Sequence, residues 1–419
     1  MGSKPRMLYA DSTGQVYDHP RFDMAVWDGF QIREPREDEL IPLPDGSDLY
    51  VLPGRLPLGF VSRKGHLTEL AGENEGDVVA VSAFLAPAYL RLTHPAYRTL
   101  PGARTLPLFA YAPVGWADGR FWTTALRIDP EPRQDPPTFD LRAIRSGVDR
   151  DTAALPGNHL LRQLRRCALE YKCRAAQNFF LGRYECPLPT APACNANCVG
   201  CISHQDGDIP VTQERVETSP PAEDVAAVVD LHFRRARNPI ASFGQGCEGE
   251  PLTRAQLLLD AVRRVREKHP AGTLNLNSNA SRPDVVEDLC RSGLDSIRVS
   301  MNSPTQALYE KYHRPVDYSF ASVVDSIRRA KAASRFVSLN LLVFPGMTDR
   351  GDEVAALKAL IAEHSIDMIQ WRNLNLDPEH YLDAMGRGEE GGAGLLAVLA
   401  DLRTTFPTLR HGYFNPFLR

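Results

Sequence analysis

The pattern of hydrophobic and polar positions divides the chain into two halves of different character. Residues 1–140 carry short alternating apolar runs, such as DLYVLPG and RFWTTALRI, between prolines and glycines. That pattern is typical of strands and turns. From about residue 184, strand-like runs alternate with segments that are amphipathic at the helical period. The sequence therefore predicts a β-rich domain followed by an α/β domain.

The α/β half contains six strand-like runs separated by helical ones. The runs cover residues 184–189, 239–244, 272–277, 295–301, 336–344 and 366–371. Strands joined by helical crossovers pair in parallel. Six units fall short of the eight in a complete barrel, so the fold class predicted is α/β, a partial parallel (β/α)6 TIM-like barrel preceded by a smaller β-rich N-terminal domain.

Composition shifts set the domain boundaries. Residues 1–140 form the β-rich domain, and 141–183 are a linker and a connecting helix that follow the proline-rich stretch DPEPRQDPPTFD. Residues 184–380 form the partial barrel, and 381–419 a C-terminal helical extension. Three roles are open for residues 1–140: closing the barrel mouth, recognising a macromolecular substrate, or mediating a dimer. The oligomeric state is open as well.

Composition then narrows the class of protein. The chain has 419 residues, 8 cysteines and a formal net charge of −4. Eight cysteines are too few for a disulfide scaffold, which favours a cytoplasmic, reducing location. No run approaches the roughly 20 apolar residues that span a bilayer, so no membrane partner is expected. The lack of a basic excess argues against nucleic acid as a partner.

Three of the cysteines lie within eight positions, in the stretch PACNANCVGCISHQ. Cys194, Cys198 and Cys201 are spaced C-x-x-x-C-x-x-C, and His204 follows. Three thiolates and one imidazole make a legitimate tetrahedral zinc site. Three thiolates could equally hold an iron–sulfur cluster and leave one iron open for catalysis. The absence of a second pair of zinc ligands in the sequence favours the cluster.

Other unusual segments follow the predicted strands. Functional groups of parallel α/β folds collect at the carboxyl ends of the strands. These segments are GQGCEGEPL (244–252), NLNSNAS with Asn277 and Ser278, VSMNSP with Ser300 and Asn302, and VFPGMTD with Gly346. They predict a ligand cavity at one mouth of the barrel. Cys247, within the first segment, is a candidate catalytic thiol, with a small buried core residue as the alternative.

At this point the residues resemble a known family. The cysteine triad and the Gly249-Glu250-Pro251 element are similar to those of the radical S-adenosylmethionine (radical SAM) superfamily. The stretch SIRVSMNSPTQALYEKYHRPVDYSFASVVDSIRRAKAA is similar to the fourth-strand region of its molybdenum-cofactor-biosynthesis and peptide-maturase branch. The resemblance covers roughly residues 184–380. No cysteine follows Cys290, so the cysteine-rich auxiliary-cluster domain of many peptide maturases is not expected.

The resemblance implies a cofactor set and a site. Cys194, Cys198 and Cys201 would ligate one 4Fe–4S cluster, and S-adenosylmethionine would chelate its fourth iron. The segment of Glu248, Gly249, Glu250 and Pro251 would bind the methionyl amino group. The other residues that the resemblance and the strand ends assign to the cofactor are Asn277, Ser278, Ser300, Asn302 and Gly346.

The resemblance also implies a reaction. Reductive cleavage of S-adenosylmethionine would give a 5′-deoxyadenosyl radical that abstracts hydrogen from a substrate, for which a small biosynthetic molecule is the first choice. One alternative is a peptide or protein maturase of the same superfamily. Another is a non-catalytic binding protein that zinc stabilises. A reducing electron donor such as flavodoxin or ferredoxin is the partner implied.

Overall fold

The structure, a computed structural model, describes residues 4–62, 65–72, 77–388 and 390–419. It contains the two architectures that the hydrophobic pattern predicts. A β-rich region comes first, and a parallel sheet with helical connections follows three short connecting helices.

The N-terminal domain consists of short, mostly antiparallel strands. They are β1 (Arg6–Asp11), β2 (Val16–Met24), β3 (Val26–Trp27), β4 (Ile32–Arg33), β5 (Leu40–Pro42), β6 (Asp48–Leu52), β7 (Arg55–Val61), β8 (Leu67–Glu69), β9 (Val78–Phe84), β10 (Tyr89–Arg91), β11 (His94–Pro95), β12 (Tyr97–Thr99), β13 (Tyr111–Ala112), β14 (Val114–Ala117) and β15 (Arg120–Arg127). Alternate residues such as Leu8, Val81 and Val114 meet in a small core of this domain. The described strands pair into one sheet of 12 strands and one of 3.

Three helices connect the domains where one connecting helix was predicted. They are α1 (Leu141–Ala154), α2 (His159–Leu169) and α3 (Arg174–Phe180). Asn158 begins α2, because its side chain accepts a hydrogen bond from the backbone N–H of Leu161 at 2.8 Å. The backbone turns at Lys172, whose φ is 52°. A helix cannot continue through a positive φ, so the predicted helix is interrupted.

The parallel sheet confirms every strand predicted in the second half of the chain. Its strands are β16 (Glu185–Leu188), β17 (Ile240–Phe243), β18 (Thr273–Ser278), β19 (Ser296–Met301), β20 (Phe336–Val343), β21 (Met368–Asn373) and β22 (Arg410–Gly412). Its helices are α4 (Ala222–Arg235), α5 (Ala255–Lys268), α6 (Pro283–Ser292), α7 (Gln306–His313), α8 (Phe320–Ala332), α9 (Gly351–His364), α10 (Pro378–Met385) and α11 (Leu395–Thr405). The strands lie in the order in which the chain makes them.

The C-terminal segment differs from the helical extension predicted for 381–419. It contains α10 and α11, but it ends in β22, which pairs in parallel with β21. In the described part of the chain the sheet therefore has 7 strands rather than the six expected. A strand of three residues is too short for an alternating pattern to reveal it.

The two faces of the parallel sheet are chemically different. On the face that packs against the helices, residues such as Ile297, Leu339 and Ile369 join the main hydrophobic core. Alternate residues point to the opposite side, which we call the polar face. Its polar members are Glu185, Ser242, Thr273, Asn275, Asn277, Ser296, Arg298, Ser300, Ser338, Asn340, Gln370 and Arg372. A parallel sheet packed by core on both faces would be apolar on both, so the polar face is the one available to a ligand.

The N-terminal domain is attached to the parallel sheet through buried polar contacts at the carboxyl end of β21. Nη2 of Arg55 lies 2.8 Å from Oδ2 of Asp377, and both side chains are 2% exposed. The backbone N–H of Arg91 donates to Oδ1 of Asn373 at 2.9 Å. The β-rich domain is thus held over one end of the sheet. None of the described helices combines the length and the apolarity that a bilayer span requires.

Candidate functional site

The cysteine triad lies in the loop that follows β16. The thiols of Cys194, Cys198 and Cys201 are all free and partly buried. Burial raises the pKa of the Cys194 thiol to about 11. Burial, and then the charges of the other two thiols, raises the pKa of Cys198 well above its ordinary value. The charges of the three thiols therefore act on one another, and a bound cation would draw the protons away from Cys194 and Cys198.

A second loop, after β17, pairs with the segment that leads into the triad. The backbone N–H of Gly249 donates to the carbonyl oxygen of Ala191 at 2.6 Å, and that of Glu250 donates to Ala193 at 2.9 Å. A Cβ at Gly249 would lie 2.0 Å from the carbonyl oxygen of Ala193. Only glycine permits so close an approach. The Gly249-Glu250-Pro251 element is thereby placed directly beside Cys194.

Glu248 connects the same two loops through its side chain. One carboxylate oxygen accepts the backbone N–H groups of Thr190 at 2.6 Å and Ala191 at 2.9 Å, and the other accepts that of Gln245 at 2.7 Å. Burial raises the pKa of this carboxyl to about 7, against the effect of these bonds. Glu248 is therefore buried and links the loops after β16 and β17 through hydrogen bonds.

Glu250 is the other buried carboxylate of this loop, and it meets the end of β18. The hydroxyl of Ser278 donates to it at 2.6 Å and the backbone N–H of Asn279 at 2.8 Å. Burial raises the pKa of Glu250 to about 7. Pro251 starts the short helical turn Pro251–Arg254 that leads into α5. Glu250 and Ser278, two residues predicted to bind the cofactor, are thus in direct contact.

Arg215 and His313, which the sequence analysis missed, contact the thiols. Nη2 of Arg215 donates to Sγ of Cys201 at 3.6 Å. Nδ1 of His313 lies 3.4 Å from Sγ of Cys198, and burial lowers the pKa of His313 to about 3. The one signal for His313 was its place in the stretch YEKYHRP, within the region that resembles the radical SAM family. Such hydrogen bonds to sulfur tune the potential of iron–sulfur clusters.

The donor set fits a cluster with three protein ligands. Within the described ranges, no three His, Cys, Asp or Glu side chains converge on a single metal ion. The thiolates of a cubane bind different irons and need not converge in that way. His204, the fourth ligand of the zinc alternative, is 54% exposed, and its Nε2 lies 3.7 Å from Asp206. Cys194, Cys198 and Cys201 would therefore hold a cluster beside Glu250.

The remaining predicted cofactor residues lie at different distances from the carboxyl ends of the strands. Ser300 is partly buried on the polar face, and Asn302 is buried just beyond β19, where its Nδ2 donates to the carbonyl oxygen of Leu308 at 3.2 Å. Asn277 lies lower on the same face and donates to the carbonyl oxygen of Gly244 at 2.9 Å. Contacts of these three residues with a cofactor stay a prediction.

Gly346 follows β20 and faces the N-terminal domain. Its φ is 84°, and a Cβ there would lie 2.4 Å from Cα of Gly29. The backbone N–H of Gly346 donates to Oδ1 of Asp349 at 2.6 Å. One side of Gly346 is therefore covered by the β-rich domain, and a role in binding adenine stays a prediction.

Cys247 is buried beside another cysteine. Its Sγ lies 3.9 Å from Sγ of Cys167 on α2, within the main hydrophobic core. The contact with Cys167, followed by burial, raises the pKa of Cys247 well above its ordinary value. The thiol is therefore part of a buried pair, and its catalytic role also stays a prediction.

Comparison with known proteins finds similarity in the part of the chain that contains the parallel sheet. The radical SAM superfamily profile matches residues 188–357. The FeMo cofactor biosynthesis protein NifB of Klebsiella pneumoniae is 25% identical over 178 residues, which cover 39% of this chain and 38% of that protein's length. The methylornithine synthase PylB is 14% identical with a TM-score of 0.37, over 64% of this chain and 77% of that one. The FeFe-hydrogenase maturase HydG of Carboxydothermus hydrogenoformans is 13% identical with a TM-score of 0.38, over 64% and 65%.

Proposed function

We propose that this protein cleaves S-adenosylmethionine reductively at a 4Fe–4S cluster and directs the resulting 5′-deoxyadenosyl radical to hydrogen abstraction from a small molecule. The match of residues 188–357 makes the chain a member of the radical SAM superfamily and an enzyme. Members of the superfamily bind that cluster and that cofactor. One observation carries the proposal for this chain. The loop of Gly249 and Glu250 is hydrogen-bonded along its backbone to the segment that leads into Cys194.

The chain's own residues have three tasks in this proposal. The three thiolates would hold the cluster and leave one iron without a protein ligand. The carboxylate of Glu250, fixed by Ser278 and Asn279, would attract the ammonium group of the methionyl moiety. The β-rich domain, attached through Arg55 and Asp377, would close the mouth and exclude water from the reaction.

We infer further that the parallel sheet curves into a partial TIM-like barrel around its polar face. Asn415 supports this inference, because it bridges the first and the sixth strands of the sheet. Its Nδ2 donates to Glu185 on β16 at 2.8 Å, and its Oδ1 accepts from Gln370 on β21 at 2.8 Å. Those strands are five positions apart, which in a flat sheet would separate them by about 24 Å. One side chain can contact both only if the sheet is strongly curved.

The required reducing partner would dock in a groove next to Arg215. The groove has a volume of about 490 Å³, and its lining includes the exposed Arg162 and Arg165 of α2 together with Arg166. Arg166 is already paired with Glu170 and Glu214. The positive charge of the groove fits an acidic electron carrier such as a flavodoxin or ferredoxin. Replacing Arg162 and Arg165 by Glu should slow reduction by the carrier, while reduction by dithionite should be unchanged.

Anaerobic reconstitution tests the proposed function. The protein is loaded with iron and sulfide, its iron is counted, and S-adenosylmethionine and dithionite are added before 5′-deoxyadenosine is assayed. About four irons per chain and formation of 5′-deoxyadenosine are expected for the wild-type protein, and neither for a variant with Ala at Cys194, Cys198 and Cys201. One bound zinc, no iron and no cleavage would contradict the proposal and favour the zinc-stabilised binding protein.

A further inference from the structure

Two arginines stand out among the residues of the polar face. Arg298 lies in the middle of β19, two positions before Ser300, and Arg372 lies near the carboxyl end of β21. The strands on which they lie flank β20. Both are partly accessible although their strands run through the centre of the sheet. Long cationic side chains at such positions face a space rather than a packed core.

Each guanidinium group contacts one neighbouring side chain. The Cζ atom of Arg372 is 3.6 Å from the centre of the Tyr413 ring. Arg298 donates to Oε1 of Gln370 at 3.0 Å. Burial, followed by the charge of Arg372, lowers the pKa of Arg298 to about 9. Tyr413 and Gln370 thus hold the two cations on the polar face, where the charge of Arg372 acts on Arg298.

No carboxylate in the described part of the chain forms an ion pair with either arginine, and Nε of each is buried without a hydrogen-bond partner. The attractive charge that reaches Arg298 comes from Glu185, which already accepts a hydrogen bond from Asn415. Oδ1 of Asn340, on the strand between the arginines, is also buried without a partner. Partly buried cations that form no ion pair are costly, and an anion bound to them would lower that cost.

We propose that Arg298 and Arg372 bind an anionic group of the substrate, a carboxylate or a phosphate, on the polar face near Ser300. The planar guanidinium fork suits both anions because it donates two parallel hydrogen bonds to them. The proposal rests on the proposed function, in that the cofactor occupies the strand ends near Ser300. The substrate class is therefore a molecule with an anionic end. The arginines hold that end, and the reacting carbon faces the mouth of the barrel.

Thermal unfolding of the cluster-loaded protein tests the proposal with simple anions. Sodium phosphate and sodium succinate are titrated separately against sodium chloride of equal ionic strength, for wild type, R298M and R372M. At least one anion should raise the Tm of the wild type in a saturable way, and each substitution should weaken that binding roughly tenfold or more. R263M, which removes an exposed arginine of α5, should keep the wild-type response.

The outcomes distinguish a phosphate from a carboxylate substrate, and they test the anion site separately from the proposed function. A response to phosphate alone indicates a phosphorylated substrate, and a response to succinate alone indicates a carboxylate. If a Met variant fails to fold, R298Q and R372Q replace it, because Gln keeps a hydrogen-bond donor without the charge. No response beyond chloride, or an undiminished response in the variants, overturns the proposal. S-adenosylhomocysteine binding, measured in the same samples, should persist in the variants, and its absence in the wild type would count against the proposed function instead.

Discussion

Nη2 of Arg215 lies 3.6 Å from Sγ of Cys201, and Nε of the same arginine lies 3.4 Å from Oγ of Ser203. Arg215 therefore reaches from the arginine-lined groove to a predicted cluster ligand. A guanidinium beside a thiolate stabilises negative charge, and reduction of a cluster adds negative charge. This contact makes Arg215 a residue that would raise the reduction potential of the bound cluster.

Replacing Arg215 by Met should lower that potential. The expected shift is on the order of 30–100 mV, from the loss of one charge a few ångströms from the cluster in a partly solvated setting. A potentiometric titration of the loaded protein, followed by spin resonance, measures it. Arg162→Met is the matched control, because Arg162 lines the same groove and is exposed. Equal potentials in wild type and Arg215→Met would show that the contact is lost once iron binds.

Replacing Gly249 by Ala should prevent normal loading of the cluster. The new Cβ would lie 2.0 Å from the carbonyl oxygen of Ala193, so the segment leading into Cys194 would have to move. Overpacking of this kind costs about 1–3 kcal/mol, and iron per chain should fall well below the wild-type value. Gly351→Ala is the control, because a Cβ there meets nothing within 4 Å. Full iron loading of Gly249→Ala would refute the proposed role of this glycine.

Replacing Arg55 by Met should loosen the β-rich domain. The substitution leaves the buried carboxylate of Asp377 without its cation, which costs about 3–5 kcal/mol in comparable pairs. Chemical unfolding of the loaded protein measures this free energy. Arg98→Met removes an ion pair with Glu69 whose arginine is 50% exposed, and should cost less than about 1 kcal/mol. Similar losses in the two variants would mean that the buried pair does not anchor the domain.

Protonation of His232 should destabilise the protein as the pH falls. Burial lowers the pKa of this histidine from 6.5 to about 4, and its Nδ1 has no hydrogen-bond partner in the described structure. The unfolded chain therefore binds more protons than the folded protein between about pH 4 and 6.5, so stability rises with pH across this window. The contribution of His232 to this loss at pH 5, relative to pH 8, should be about 2 kcal/mol.

Urea unfolding of the wild type and of His232→Gln at pH 5 and pH 8 isolates this effect. Gln keeps a donor for the carbonyl oxygen of Tyr184, which lies 3.1 Å from Nε2 of His232. The free energy of unfolding should change with pH by about 2 kcal/mol less in the variant. The same pH dependence in both proteins would assign it to other groups.

Local pattern was sufficient for most of the parallel sheet. The run that predicts a strand at 295–301 alternates buried apolar residues with polar ones, and the strand found is Ser296–Met301. Arg298 was visible there as a charged residue at an inward-facing position of a buried strand. Its proposed role in binding an anion depends on Arg372, which is 74 residues away along the chain. Nothing in a local pattern relates two such positions.

The seventh strand and the thiol contacts were missed for the same reason. β22 is recognisable only because β21 pairs with it, since three residues carry no period of their own. His313 reaches Cys198 across 115 residues of sequence. The order of the strands and the packing of α7 bring these two residues together. No local pattern in the sequence predicts that contact.

The sequence by itself determined the chemistry that this protein can support. Three thiols at close spacing, one glycine-rich acidic loop and alternating strands and helices follow from covalent neighbours and local periodicity. Only the tertiary structure decided which of these groups meet. It set the loop of Gly249 against the triad, turned Cys247 toward Cys167, and brought Arg298 and Arg372 to one face. The physical reason is that burial, charge and hydrogen bonding act between neighbours in space, and the packing of the sheet selects those neighbours.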